Sequence, residues 1–104
     1  MKAPGGEMLF LIIEKAIGQI PKEALEASGR CADYFAALKE KGKLKGNYHF
    51  AGIAGGAYIL DVESNDELGE TIIKSPFYKY TSRDIFPLMD ERRLIEAEKI
   101  AAMN

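Results

Sequence analysis

The stretch from residue 54 to residue 88, AGGAYILDVESNDELGETIIKSPFYKYTSRDIFPL, constrains the fold more than any other part of the chain. Residues 57–63 carry β-branched and aromatic side chains in alternation with smaller or acidic ones, which favours a strand. Ser64 follows as a helix N-cap, with a glutamate three residues later in the pattern of a capping box. Pro76 ends this helix, and residues 81–86 can form another strand. The stretch therefore predicts strand, helix and strand in close succession.

The first half of the chain predicts the same order of elements. Residues 8–14, MLFLIIE, form a continuous apolar run, as in a central strand covered on both faces. A long helix is predicted over residues 21–41, with Gly42 as its C-cap, and a second strand over residues 46–52. The helical stripe expected to face the sheet consists of Leu25, Ser28, Ala32, Phe35 and Leu38, widened by Ala24, Cys31 and Ala36.

Together these elements predict an α+β fold, a ferredoxin-like βαββαβ unit with an antiparallel four-stranded sheet. A further C-terminal helix is expected from about residue 90. The chain of 104 residues, 47% hydrophobic, suits one domain. We expect a flexible leader over residues 1–7, the ferredoxin-like domain over 8–88, and the C-terminal helix within 89–104, where it can reach an oligomer interface. The two helices cover only one face of the sheet, so the other, apolar face needs a partner, most simply a second copy of the chain.

Composition excludes several classes of protein. A net charge of -2 and a pI near 5.4 argue against binding to nucleic acid or an anionic membrane as the main activity. The apolar run at residues 8–13 is too short to span a bilayer. The single cysteine excludes an intrachain disulfide framework and favours a reducing cytoplasm. The sequence contains neither a Gly-rich nucleotide loop nor metal-ligand spacing, so we expect no cofactor and no metal.

Residues 76–80 and 84–88, PFYKY and DIFPL, resemble the muconolactone isomerase signature of a proline, large apolar residues, a tyrosine, an acid and a closing Pro-Leu. The resemblance covers about residues 8–88. Several upstream positions match the spacing of that family, namely Gly42, the Ala51-Gly52 pair, the Asp61-Val62 pair and Pro21 at the start of the first helix.

This resemblance implies a dimeric α/β-barrel that can assemble further, as muconolactone isomerases form decamers built from dimers. It also implies a cofactor-free shift of a double bond in an unsaturated lactone, by removal and return of a proton. Such chemistry needs a base near the acidic carbon, a proton route to a second carbon, and a cationic or hydrogen-bonding clamp for the developing enolate.

His49 and Asp33 are the candidate catalytic residues. His49 is the only histidine of the chain, and histidine is the side chain that ordinarily titrates near neutrality, so it can act as a proton shuttle. The alternative is an ordinary strand histidine. Asp33 matches an acidic position of the family pattern and could act as a base or orient His49. Its alternative is a solvated carboxylate on the surface of the helix.

Arg83 and Arg30 are candidate substrate-binding residues, because a guanidinium can clamp an anionic ligand; ordinary surface charges are the alternative. Cys31 with His49 could form a thiol-imidazole pair, although helical cysteines are usually core residues. The small residues at 27–29 leave room for a ligand or allow close packing. Rings and hydroxyls that could line a pocket are offered by Tyr48, Tyr58 and Tyr80, with core packing as the alternative.

Two hypotheses of function follow. The first is a small cofactor-independent isomerase or lyase, which predicts that His49, Arg83 and a tyrosine converge on one pocket. The second is a non-catalytic module of the same fold, which binds a small molecule or serves in an oligomer, with these polar groups facing solvent. The chain also departs from the family pattern, which has charged residues, tryptophan, arginine and histidine at the positions of Ser28, Cys31, Tyr48, His49 and Ile53. A third option is a haem-degrading relative within the dimeric α/β-barrel class. A single histidine is weak support for that function.

Overall fold

The computed structural model describes residues 8–103 of the chain, so the leader predicted at residues 1–7 lies outside the described residues. The order of elements is strand, helix, strand, strand, helix, strand, helix. The elements are β1 (Met8–Ala16), α1 (Lys22–Glu40), β2 (Leu44–His49), β3 (Gly55–Val62), α2 (Asn65–Ile73), a short 3-10 turn (Tyr78–Tyr80), β4 (Thr81–Leu88) and α3 (Glu91–Met103). This confirms the predicted βαββαβ unit with an added C-terminal helix.

The four strands form one antiparallel sheet in the order β2-β3-β1-β4. The apolar strand β1 lies between β3 and β4, which explains why it carries almost no polar residues. Its residue Ile12 pairs with Tyr58 on one side and with Ile85 on the other. Cross-strand partners point to the same face of a sheet, so these pairings decide which side chains meet.

The hydrophobic core lies between the sheet and the helices α1 and α2. Ile12 and Leu60 are fully buried at its centre. The two helices are joined directly, since the Tyr34 hydroxyl on α1 donates a hydrogen bond of 2.6 Å to the Thr71 carbonyl on α2. Core residues contributed by the sheet and both helices are Phe10, Tyr58, Val62, Leu38, Leu44, Leu68 and Ile72.

The stripe of α1 that the sequence predicts is buried only in part. Ala24, Cys31 and Leu38 of that stripe are buried, together with Ala27, and Phe35 is partly buried against the core. Leu25 is 66% exposed, and Ser28 is also exposed. The prediction was therefore wrong for these two residues, because periodicity does not show where a helix stands off from the sheet.

Strand β2 begins and ends earlier than predicted, at Leu44 and His49 instead of residues 46–52. Leu44 pairs with Leu60 in the core, and a register shift follows it before Gly46. The chain then leaves the sheet after His49. This places His49 at the end of β2, beside the loop that leads into β3.

The face of the sheet opposite the helices is largely apolar, although Asp61 and Asp84 also lie on it, and its apolar side chains stay at least partly exposed within residues 8–103. Leu11 lies at its centre and pairs with Ile59 and Phe86, of which Phe86 is 47% exposed. Leu9 and Leu88 extend this outer face toward one end and are also exposed. The helix α3 buries none of its residues against the rest of the described chain.

Ser64→Ala is expected to lower the free energy of unfolding by about 1 kcal/mol. The Ser64 hydroxyl accepts a hydrogen bond of 3.1 Å from the Glu67 amide, and the Glu67 carboxylate accepts one of 3.2 Å from the Glu63 amide. Urea denaturation measures the change. Ser82→Ala is the matched control, because Ser82 is exposed on β4 and caps no helix; equal stability losses in the two variants would contradict the prediction.

Candidate active site

A cavity of about 650 Å³ lies between α1 and the helix-facing side of the sheet. One wall is the face of α1 that the sequence assigned to the core, which is mostly apolar. The residues of that wall are Leu25, Ser28, Ala32, Phe35 and Ala36, and the opposite wall includes Glu14, His49, Gly56, Tyr58 and Tyr80. The exposed part of this stripe and the sheet thus enclose a concave space that could hold a small molecule.

A row of polar side chains crosses the sheet at one end of this cavity. His49 on β2 pairs with Gly56 on β3, Gly56 pairs with Glu14 on β1, and Glu14 pairs with Arg83 on β4. All of these positions project toward the helices, as cross-strand partners do. Because neighbouring strands lie about 4.8 Å apart, the backbones of His49 and Glu14 are roughly 10 Å apart. Gly56 also lines the cavity, and no side chain fills the position between imidazole and carboxylate, where an added Cβ would clash with the Tyr48 carbonyl oxygen.

Glu14 and Arg83 form an ion pair at the closed end of the row. The Arg83 Nε lies 3.1 Å from Oε2 of Glu14, and the two side chains are 16% and 11% exposed. Nη2 of Arg83 donates to the carbonyls of Tyr78 and Thr81 at 2.7 and 2.9 Å. The guanidinium also lies 4.4 Å from the centre of the Tyr78 ring. Arg83 is therefore held behind Glu14 and does not itself line the cavity.

Tyr58 forms part of the cavity floor beside Glu14. Burial raises the pKa of Tyr58 strongly, and the negative charge of Glu14 and a hydrogen bond with it raise the pKa further. The phenol is therefore protonated. Tyr58 lies on β3 and Arg83 lies on β4, so the two side chains flank Glu14 from opposite sides.

The other two predicted tyrosines occupy different surroundings. Tyr80 lines the cavity in the 3-10 turn that precedes β4. Tyr48 is 67% exposed at the edge strand β2, and its partner Ala57 lies on the outer face of the sheet. Tyr48 therefore lies at the cavity rim through its backbone, while its ring extends to the other side.

Cys31 lines the cavity from α1, and its thiol is protonated. Burial raises the pKa of Cys31, the nearby Ser75 hydroxyl lowers it to a smaller extent, and the charge of Glu14 raises it further. A thiolate is the nucleophilic form of cysteine, so this environment does not favour a thiol-imidazole nucleophile. The Ser75 hydroxyl is buried and makes no hydrogen bond with another described residue.

Asp33 and Arg30 lie outside the cavity, on the exposed side of α1. Successive residues of a helix are rotated by about 100°, so Asp33 points roughly opposite to Cys31, which faces the sheet. Arg30 reaches only the Glu26 carbonyl, at 3.5 Å. The structure brings His49, Tyr58 and Tyr80 together at the cavity. Asp33 and Arg30 do not line it.

Glu14 is the site residue that sequence reasoning missed. In the sequence it stands only as the acidic end of the apolar run at residues 8–14. The signal was present, because Glu14 continues the alternation of Phe10 and Ile12, the inward face of β1. A strand that is apolar on both faces hides this alternation until its partners are known.

Within residues 8–103, the structure brings together no group of three His, Cys, Asp or Glu side chains that could hold a metal ion. None of the helices in that range is long and apolar enough to cross a membrane.

The comparisons with known proteins agree with the fold. One solved structure is a muconolactone isomerase, 20% identical, with a TM-score of 0.71 over 81% of this chain and 91% of that chain. Another is a 5-chloro-2-hydroxyhydroquinone dehydrochlorinase from Burkholderia phenoliruptrix AC1100 in complex with 2,5-dihydroxybenzoquinone, 24% identical, with a TM-score of 0.59 over 83% of this chain and 98% of that chain. A search of curated proteins gave no significant match.

Family assignment comes from a sequence model described as muconolactone delta-isomerase, which matches residues 8–92. This match confirms the resemblance seen in residues 76–80 and 84–88. It spans most of the chain, and the chain therefore belongs to the muconolactone delta-isomerase family.

Proposed function

We propose that this protein is a cofactor-independent isomerase that moves a double bond in a small unsaturated lactone or related acid by proton transfer. The observation that carries the proposal is the position of His49 and Glu14 on one row of the sheet, on either side of Gly56, facing a single cavity. Membership of the muconolactone delta-isomerase family supports the same chemistry.

In this mechanism the Glu14 carboxylate takes a proton from the carbon next to the lactone carbonyl. The electron pair of the broken C–H bond moves into the conjugated system, and negative charge collects on the carbonyl oxygen. A proton then returns to the far carbon of that system, and the double bond is left in its new place. Tyr58 and Arg83 hold Glu14 in position from its two sides.

His49 lies at the open edge of the cavity, where it can serve as the second proton-transfer group. A ring bound over Gly56 would have Glu14 on one side and His49 on the other. The exposure of His49 connects it to solvent, so it can exchange protons with water between turnovers. The wall offered by Phe35 and Tyr80 would exclude water from the ring.

A second candidate is a non-catalytic member of the fold that binds a small molecule or serves as an oligomeric module. It is favoured by the mostly apolar lining of the cavity and by the position of Asp33 and Arg30 outside it. This candidate predicts binding without turnover.

We also propose that the protein is a homodimer in which two outer faces pack together, giving an α/β-barrel. The uncovered apolar side chains around Leu11 support this, because a sheet normally buries such a face. The unburied helix α3 is suited to pack on a neighbouring subunit, and a decamer of such dimers is the higher assembly that the family resemblance suggests. The free cysteine Cys31 suits a reducing cytoplasm.

The test of catalysis is an assay of muconolactone and simpler enol-lactones in deuterated water, followed by NMR. We expect deuterium at the carbon that gains the proton, and we expect His49→Ala to lower kcat/KM by about 100-fold or more. Asp33→Asn tests the residue suggested by the sequence alone, and little change is expected because that side chain lies outside the cavity. Binding of lactones without any turnover would favour the non-catalytic alternative.

A further inference from the structure

We propose that the polar end of this cavity selects a ring that carries no negative charge at that end, and that the Glu14–Arg83 pair is the selecting device; the carboxylate of an acidic substrate would lie on a substituent directed away from Glu14. The inference rests on the proposed function in that it concerns the same cavity. It differs from the sequence-based expectation, in which Arg83 was a clamp for an anionic ligand.

The order of side chains along the row determines which charge a ligand meets first. From the edge of the sheet inward the row runs His49, Gly56, Glu14 and Arg83, and the cavity is lined by the first three of these. A ligand in the cavity therefore meets the carboxylate of Glu14 before it meets the guanidinium of Arg83.

Arg83 is fixed by contacts with Glu14 and with the chain around Tyr78 and Thr81. Its Nε is directed at Oε2 of Glu14, and its Nη2 is directed at the Tyr78 and Thr81 carbonyls and the Thr81 hydroxyl, at distances of 2.7 to 3.1 Å. Its flat face lies against the Tyr78 ring. These contacts fix the guanidinium in place and compensate its charge, so Arg83 is a positioning residue for Glu14.

A ligand carboxylate bound at this end of the cavity would be in unfavourable surroundings. It would lose hydration in an apolar cavity and would lie beside the carboxylate of Glu14, and like charges repel more strongly when water is excluded. An uncharged ring with an O–H or N–H group could instead donate to Glu14. Glu14 thus disfavours anions and accepts hydrogen bonds from neutral ligands.

A second positive charge near Glu14 could offset its effect on a ligand anion. Among the described lysines and arginines, the one that lines the cavity is Lys39, near the C-terminal end of α1. It lies eight residues beyond Cys31, which corresponds to about 12 Å along the helix. Lys39 therefore cannot neutralise a charge on a ring bound between Glu14 and His49, and it serves at most the far end of a long substituent.

The test compares benzamide and benzoate, which have nearly the same shape and differ in charge. Binding is followed by NMR titration of the backbone amides of the full chain, with the signals of Gly56 and His49 as reporters. We expect the wild-type protein to bind benzamide at least about tenfold more tightly than benzoate, a difference of about 1.4 kcal/mol.

Glu14→Gln should abolish this preference, because it changes the charge at the polar end of the cavity. The substitution removes the negative charge and leaves the Arg83 guanidinium uncompensated, so we expect benzoate affinity to rise about tenfold or more while benzamide affinity changes less than about threefold. In the double variant Glu14→Gln with Arg83→Gln, the gain in benzoate affinity should disappear. Glu40→Gln is the matched control, because it removes one carboxylate at an exposed position outside the cavity.

Equal binding of the two probes by the wild type, or unchanged benzoate affinity in Glu14→Gln, would overturn the inference. So would the absence of any shift at the cavity amides, because the cavity would then bind neither ring. The readout requires no turnover, so it separates this inference from the proposed function: a preference for benzamide without lactone isomerisation would retain the first and reject the second.

Discussion

Glu14→Gln is expected to lower kcat/KM for lactone isomerisation by about 1,000-fold, the scale typical of losing a general base. Glutamine has nearly the shape of glutamate, but its amide cannot accept the proton that the mechanism takes from the substrate. Its carbonyl oxygen can still accept hydrogen bonds from Arg83 Nε and from Tyr58, the two groups that position Glu14 in the wild type. The expected defect is therefore in kcat more than in folding.

The measurement combines steady-state kinetics with circular dichroism and thermal unfolding of each variant. Glu40→Gln again provides the control, since it loses a carboxylate from the exposed end of α1. If Glu14→Gln keeps more than about a tenth of wild-type kcat/KM, Glu14 is not the base. A variant that loses activity only because it unfolds would have a lower melting temperature than the wild type.

Leu11→Glu is expected to convert the proposed homodimer into a monomer. Leu11 lies at the centre of the outer face between Ile59 and Phe86. A carboxylate placed there would be buried twice in a two-fold interface without a cation opposite it, and burial of an unpaired charge costs several kcal/mol. We expect the dimer dissociation constant to rise by about 1,000-fold or more.

Analytical ultracentrifugation at several protein concentrations measures this change. Ile73→Glu is the matched control, because Ile73 is an apolar residue exposed on α2, at 60%, on the helical side of the molecule. The control should remain dimeric. A wild-type protein that sediments as a monomer at high concentration, or a Leu11→Glu variant that stays dimeric, would refute the sheet-to-sheet dimer.

The helices and strands could be predicted because the contacts that define them join residues only a few positions apart in the chain. Ser64 and Glu67 mark the start of α2 with a hydrogen bond spanning three residues. Gly42 adopts a positive φ of 77° directly after α1, a conformation that glycine adopts without strain. Such features act between neighbours in the chain, so they can be recognised before any tertiary contact is known. Family membership could be recognised for a similar reason, from residues 76–88 and their spacing.

The composition of the site could not be predicted in the same way. Asp33 and His49 are both residue types suited to proton transfer, but Asp33 lies on the exposed side of α1, away from the cavity. Glu14 is equally suited to proton transfer and was overlooked, because the face of β1 that it occupies is defined only by pairing with β3 and β4. Arg83 was expected to bind an anion and is instead engaged by Glu14, 69 residues away in the chain.

The order of strands and helices, the N-cap of α2, the apolar outer face and the family could be inferred from the sequence. Which side chains share the cavity, which part of the α1 stripe is buried, and whether the charge of Arg83 is available to a ligand depend on tertiary contacts. The difference lies in how far apart along the chain the interacting residues are. Capping, turns and alternation depend on residues a few positions apart, whereas the row from His49 to Arg83 exists only when four strands pair in one register.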